Sequence, residues 1–201
     1  MKFCNNCGYI DHNNNNICPI CHHKLKLIKL RKISYSLNKL YSFSSYLIRF
    51  KNYPLSILQN SLLLLYGPPG SGKTTLTLLL ANELKNFNIA YISLEESPHT
   101  LSRKIQYHEI TNNNITFFFT DKISLNNFNI VIIDSYNYLQ NKHILKLDNK
   151  IKFIICQITK TGSFKGPQEL AHICDIVIRT DKMKAYIEKN RLGPLKTFNI
   201  I

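Results

Sequence analysis

Residues Gly67-Pro68-Pro69-Gly70-Ser71-Gly72-Lys73-Thr74 fit the pattern G-x-x-x-x-G-K-[ST], a phosphate-binding loop. The motif carries meaning only between a strand and a helix, and its flanks supply both. Before it runs Ser61 to Tyr66, an apolar stretch short enough for a buried strand. After it, Thr75 to Leu84 reads as a helix without Gly or Pro. Glycines let backbone N–H groups turn inward around phosphate oxygens, and the helix N-terminus adds partial positive charge. The expected nucleotide set is Gly67, Pro68, Pro69, Gly70, Ser71, Gly72, Lys73, Thr74 and the adjoining Thr75. Lys73 reaches the β- and γ-phosphates of ATP, and the Thr74 hydroxyl holds Mg²⁺.

From residue 61 onward, short apolar runs alternate with helical stretches. Strands are expected at Ser61 to Tyr66, Ile89 to Leu94, Ile115 to Phe119, Ile130 to Asp134 and Lys152 to Gln157, then at Ile176 to Arg179, Ala185 to Glu188 and Thr197 to Ile200. Near-continuous apolar strands joined by crossover helices define an α/β fold around a mostly parallel sheet. Ligands bind such sheets at the carboxyl ends of the strands, which singles out three further places. Asp134 ends the strand from Ile130 and is the second Mg²⁺ candidate. Glu95 and Glu96 follow the strand at Tyr91; one of them is placed to activate water, while Glu96 alternatively opens the next helix as a first-turn acid. Gln157 follows Cys156 at a strand end, where an amide senses the γ-phosphate. Cys156 and Cys174 sit in apolar runs and read as core.

The N-terminal segment has a different logic. Cys4-x-x-Cys7 and Cys18-x-x-Cys21 are separated by ten residues. Two such pairs place four thiolates tetrahedrally around Zn²⁺. Residues 1–28 are too few to bury a core, so metal binding supplies their folding energy. His12, His22 and His23 are spare imidazoles outside a shell that four cysteines already fill. A phosphate loop needs intracellular nucleotide, which favours thiols or metal over disulfides and a cytoplasmic location. No apolar run approaches the ~18 residues of a membrane span, and Met1-Lys2-Phe3-Cys4 does not begin a signal peptide. The expected organisation is a zinc segment at 1–28, a basic lead-in at 29–60 and an ATPase domain at 61–201. In the lead-in, Lys29, Arg31, Lys32 and Lys39 continue from Lys24 and Lys26, and serve either phosphate contact or a solvated face. Lys and Arg number 26 against 12 acids, a formal charge of +14, which favours an anionic partner such as nucleic acid.

These motifs together resemble the RadA/Sms DNA-repair ATPases, built on a RecA-like core. The likeness rests on Cys4-x-x-Cys7-Gly8-Tyr9 with Cys18-Pro19-x-Cys21, on Tyr91-x-Ser93-x-Glu95-Glu96-Ser97, and on Thr159-Lys160-x-Gly162 followed by Gly166-Pro167, Leu170, His172 and Asp175. It rests most on Lys189-Asn190-Arg191-Leu192-Gly193-Pro194. The resemblance implies a homo-oligomeric ring that binds single-stranded and branched DNA and hydrolyses ATP during recombination, with no membrane partner. It implies Glu95 as the catalytic acid, Gln157 as the nucleotide sensor, and Lys189 with Arg191 reaching a neighbouring subunit's nucleotide or DNA; the turn at Gly193-Pro194 is expected to hold that segment out from the sheet edge. Departures are Leu94 and Leu192 at family Gly and Phe positions, a shortened stretch between Asp134 and Ile151, and no Lon-protease-like domain before the sequence stops at Ile201. Two other classes fit the same motifs: a zinc-ribbon nucleic-acid-binding module with a degenerate, nucleotide-gated core, and a P-loop small-molecule kinase.

Overall fold

The computed structural model describes residues 2–3, 10–11, 15–19, 21–24, 26–27, 47–147, 150–158 and 168–201. The chain divides into two compact units, Met1–Ser44 and Ser45–Ile201.

In the first unit, β1 (Lys2–Phe3) lies between β2 (Ile10–Asp11) and β3 (Lys26–Leu27), antiparallel to both. Ile17 bridges Lys24, and the intervening turn is closed by Cys18 N–H on the His23 carbonyl at 2.8 Å and His22 N–H on the Cys18 carbonyl at 3.0 Å. The second C-x-x-C pair thus straddles a tight hairpin, with Cys18 buried. Cys4, Cys7, His12 and the lysine-rich run from Lys29 to Lys39 lie outside the described residues.

The second unit begins with a short hairpin, β4 (Ile48–Arg49) and β5 (Ser56–Ile57). Phe50, Leu55 and Ile57 are buried in the main core. The packed unit therefore starts before residue 61, because the Tyr53-Pro54 turn folds these side chains back onto the sheet. The sheet itself has eight strands in the order β13-β12-β11-β6-β10-β9-β7-β8. Its members are β6 (Leu62–Gly67), β7 (Ile89–Ser93), β8 (Ile115–Phe118), β9 (Ile130–Asp134), β10 (Ile151–Gln157), β11 (Ile176–Asp181), β12 (Lys184–Asn190) and β13 (Thr197–Asn199). The six from β11 to β8 run parallel; β12 and β13 add on antiparallel. The Gly193-Pro194 turn therefore does not stand clear of the sheet edge. It leads into β13, and β13 forms that edge.

Successive strand residues alternate between two cores, one on each face of the sheet. Leu63, Leu65, Ile130, Ile132, Phe153 and Ile155 join one; Leu64, Val131, Ile133, Ile154 and Cys156 join the other. Helix α1 (Lys73–Glu83) covers the first face through Leu76, Leu80 and Ala81. On the second face, two 3₁₀ turns at Tyr136–Tyr138 and Lys142–Lys146 stand in the shortened stretch and contribute Tyr136, Leu139 and Ile144. Two further helices are described, α2 (Pro98–Tyr107) and the short α3 (Gln168–Ile173). Among the described residues, no helix is long and apolar enough to cross a membrane.

Candidate nucleotide site

The loop after β6 closes with Ser71 N–H on the Pro68 carbonyl at 3.2 Å, then enters α1 through Gly72. Gly72 is the helix N-cap at φ 98°, a left-handed value that favours glycine. A Cβ there would also meet Ile200 Cδ1 at 2.8 Å and Met183 Sδ at 2.9 Å. The N-terminus of α1 has no capping side chain and no acid in its first turn. Helix α2 differs: Ser97 caps it by accepting from Thr100 N–H at 3.2 Å, and Pro98 opens it. The first-turn N–H groups of α1 are thus left for an anion. Gly67 is fixed by crowding, since a Cβ would fall 2.3 Å from the Thr180 carbonyl oxygen. Ser71 Oγ shares a buried hydrogen bond with Thr180 Oγ1 at 2.6 Å.

Register brings the remaining groups to the same end of the sheet. Strand β10 lies between β6 and β9, pairing Gln157 with Gly67 and Ile155 with Asp134. Strand β7 flanks β9, pairing Ser93 with Asp134. Thr74 Oγ1 donates to Asp134 Oδ2 at 2.8 Å, and Tyr91 Oη donates to the same oxygen at 3.0 Å. Lys73 Nζ donates to the carbonyls of Gly67 at 3.0 Å and Pro68 at 2.8 Å. Gln157 Nε2 donates to Glu95 Oε1 at 2.5 Å, and Gln157 N–H donates to Asn137 Oδ1 at 3.1 Å.

Burial dominates the electrostatics. It raises the Asp134 pKa to about 6, assisted by the negative charges of Glu96 and Glu95 and opposed by the Thr74 and Tyr91 hydrogen bonds. It lowers the Lys73 pKa, against the upward pull of Glu95 and Asp134. Lys73, Thr74, Glu95 and Asp134 line one cleft of about 260 Å³. Its hard oxygen donors, Thr74 and Asp134, already touching, suit Mg²⁺. Its uncapped helix end and lysine suit phosphate.

Three features of this cleft are not evident in the sequence motifs. Tyr91, fully buried, holds Asp134 from the neighbouring strand. Met183 lines the cleft from the β11–β12 turn, at φ 60°. Lys104 of α2 lines it as well, paired with Glu96. Glu96 precedes the Ser97 cap, so it is not a first-turn acid of α2. Lys189 and Arg191 are placed elsewhere. Lys189 Nζ donates to the carbonyls of Ala171 at 3.0 Å and His172 at 2.6 Å. Arg191 donates to the His172 carbonyl at 3.2 Å and pairs with Asp175 at 3.1 Å. Both cations close the C-terminus of α3, where unpaired carbonyls favour positive charge. Thr159, Lys160, Gly162, Gly166 and Pro167 lie outside the described residues.

An eight-stranded, mostly parallel sheet, with one strand between the phosphate-loop strand and the strand ending in Asp134, defines a RecA-like P-loop core. The family model described as ATPase family associated with various cellular activities (AAA) matches residues 63–152. Flagellar accessory protein FlaH from Methanocaldococcus jannaschii shares the fold, with a TM-score of 0.56 and 15% identity over 76% of this chain and 93% of that one. In sequence the chain is RadA-like. DNA repair protein RadA of Chlamydia muridarum is 29% identical over 70% of this chain. DNA repair protein RadA of Campylobacter jejuni is 29% identical over 61% of it. The chain spans under two fifths of the length of these curated relatives, 39% of the first and 34% of the second.

Proposed function

We propose that the chain is a DNA-stimulated ATP hydrolase of the cytoplasm that acts in recombination and repair, binding single-stranded DNA and moving branched intermediates. The observation that carries this reading is the convergence of Lys73, Thr74, Asp134 and Glu95 on one cleft, with Gln157 hydrogen-bonded to Glu95, in a RadA-like chain. Loop N–H groups and Lys73 hold the β- and γ-phosphates. Thr74 and Asp134 would hold Mg²⁺, which would supply positive charge beside the phosphates. Glu95 accepts a proton from the attacking water, and Gln157, hydrogen-bonded to it, registers whether the γ-phosphate is present. Lys189 and Arg191 serve a neighbouring subunit of a ring, which requires them to leave the α3 carbonyls they now contact. The formal charge of +14 supports a polyanionic partner.

The test is steady-state ATP hydrolysis with and without single-stranded DNA, across a salt series. Stimulation by DNA that collapses between about 50 and 200 mM salt is expected, because phosphate contacts release counterions. Nucleotide binding without hydrolysis would favour the nucleotide-gated clamp. Phosphate transfer to a small acceptor would favour a kinase.

Cys4, Cys7, Cys18 and Cys21 are proposed as ligands of one structural Zn²⁺. The tight hairpin at Cys18 and Cys21 supports this for one pair. Burial of Cys18 in a segment too short to bury a core of its own does too. Among the described residues, no cluster of three or more His, Cys, Asp or Glu that could hold a metal is found. Metal analysis of native protein is expected to give one zinc per chain. Cys18→Ser is expected to lose it while the P-loop unit keeps its thermal transition. Native protein without zinc would refute the assignment.

A further inference from the structure

We propose that Lys104 is a second ammonium for the terminal phosphate of a bound nucleoside triphosphate, held in reserve by Glu96 until that phosphate arrives. The inference rests on the nucleotide-binding reading above and deepens it.

The local sequence builds the pair. Ser93 Oγ donates to the Glu96 carbonyl at 3.2 Å and fixes the backbone at the end of β7. Ser97 then caps α2, and the helix carries Lys104 along one wall of the cleft. The Lys104 ammonium meets Glu96 Oε1. Glu96 Oε2, by contrast, is buried and has no hydrogen-bond partner. Buried carboxylate oxygens are normally satisfied. This pair is therefore incomplete within the chain, and it faces the same cleft as Lys73 and Asp134.

Charge balance gives the pair a use. The cleft holds three carboxylates, Glu95, Glu96 and Asp134, against two ammoniums, Lys73 and Lys104. An incoming triphosphate adds more negative charge beside the acids. The Lys104 side chain is 33% exposed, free enough to exchange one anion for another. Its charge is felt at Lys73, whose pKa it helps to lower. Glu96 adjoins Glu95, the acid assigned to the attacking water, so Lys104 stands on the terminal-phosphate side. No bond is made or broken in the exchange. The ammonium leaves a carboxylate oxygen for a phosphate oxygen, and a diphosphate lacks the group that draws it across.

The test measures Kd for Mg–ATPγS and for Mg–ADP by equilibrium titration on the full chain, in wild type, Lys104→Gln, Lys104→Arg, Glu96→Gln and the Glu96→Gln/Lys104→Gln double variant. Lys104→Gln is expected to raise the ATPγS Kd about tenfold, the loss of one charge-assisted hydrogen bond. Its ADP Kd should stay within about twofold, and Lys104→Arg should restore most of the triphosphate affinity. Glu96→Gln is expected to lower the ATPγS Kd severalfold by releasing Lys104, and that gain should vanish in the double variant. Equal loss for both nucleotides would overturn the proposal. So would a Glu96→Gln gain that persists without Lys104, since it would report only relief of general repulsion. If Lys104→Gln fails to fold by circular dichroism, Glu96→Gln decides: absence of its gain refutes the exchange. Wild type that binds neither nucleotide would remove the nucleotide-binding reading, and the proposal with it. Wild type that binds both, with no selective change in Lys104→Gln, removes the proposal alone.

Discussion

Lys73→Ala is expected to lower ATP turnover by at least about a hundredfold, the scale of losing one preorganised charge in a dry site. The side chain is buried, with 8% exposure, and its ammonium sits on the two loop carbonyls that precede the glycine turn. Its removal deletes the fixed charge without touching the α1 N–H groups, so weakened nucleotide binding should persist. Glu95→Gln separates the next step. It leaves every phosphate contact in place and removes the proton acceptor, so ATP should bind at near wild-type affinity and hydrolyse slowly. Rapid-quench measurement of the first turnover, alongside nucleotide titration, distinguishes the two variants. Wild-type turnover in Lys73→Ala would exclude this cleft as the hydrolytic site.

Asp134→Asn is expected to move stability and activity in opposite directions. The carboxyl has a folded pKa of about 6 against an ordinary 3.8. The folded state therefore keeps its proton to higher pH than the unfolded chain. Stability from this group is fully present below about pH 4, falls as pH rises towards about 6, and stays low above it. Two units correspond to roughly 3 kcal/mol, an order-of-magnitude figure for a nearly buried group. Asparagine can still accept from Thr74 and Tyr91 but carries no charge. At pH 7.5, without Mg²⁺, the variant should melt several degrees higher, and the gap should close near pH 4. Mg²⁺-dependent hydrolysis should fall by about a hundredfold, because a hard cation loses its anionic ligand. Calorimetry at the two pH values checks the first half and a Mg²⁺ titration of turnover the second. An unchanged melting temperature at pH 7.5 would mean that the buried carboxylate is solvated in the working protein.

The central strands were legible because they are short, nearly unbroken apolar runs. Ile130–Asp134 has the same bounds in sequence and structure, and the others differ by a residue or two at their ends. The phosphate loop was legible because backbone geometry dictates its glycines. What escaped depends on pairing across distance. Nothing in Ile48–Arg49 or Ser56–Ile57 is periodic, so the lead-in hairpin shows only once Phe50 and Ile57 are seen in the core. Tyr91 reaches Asp134 because β7 and β9 are neighbours, a register that no local pattern encodes. Lys104 needs the helix cap at Ser97 to bring it back to Glu96. The contacts of Lys189 and Arg191 depend on where α3 ends, which the motif that pointed to a neighbouring subunit does not encode.

The place of β6 in the sheet bears on how the protein comes to be made. Both of its hydrogen-bonded neighbours, β10 and β11, are encoded far downstream. The strand that launches the phosphate loop must therefore wait, apolar and unpaired, while most of the second unit is synthesised. Contacts this distant in sequence close slowly. Gly72 packs on Met183 and Ile200, so the shape of the loop is completed by residues made later still. Competence to hold nucleotide is then a late event in biogenesis, and a nascent chain halted before residue 151, with neither neighbour of β6 yet made, would present Leu62–Tyr66 to chaperones rather than to ATP.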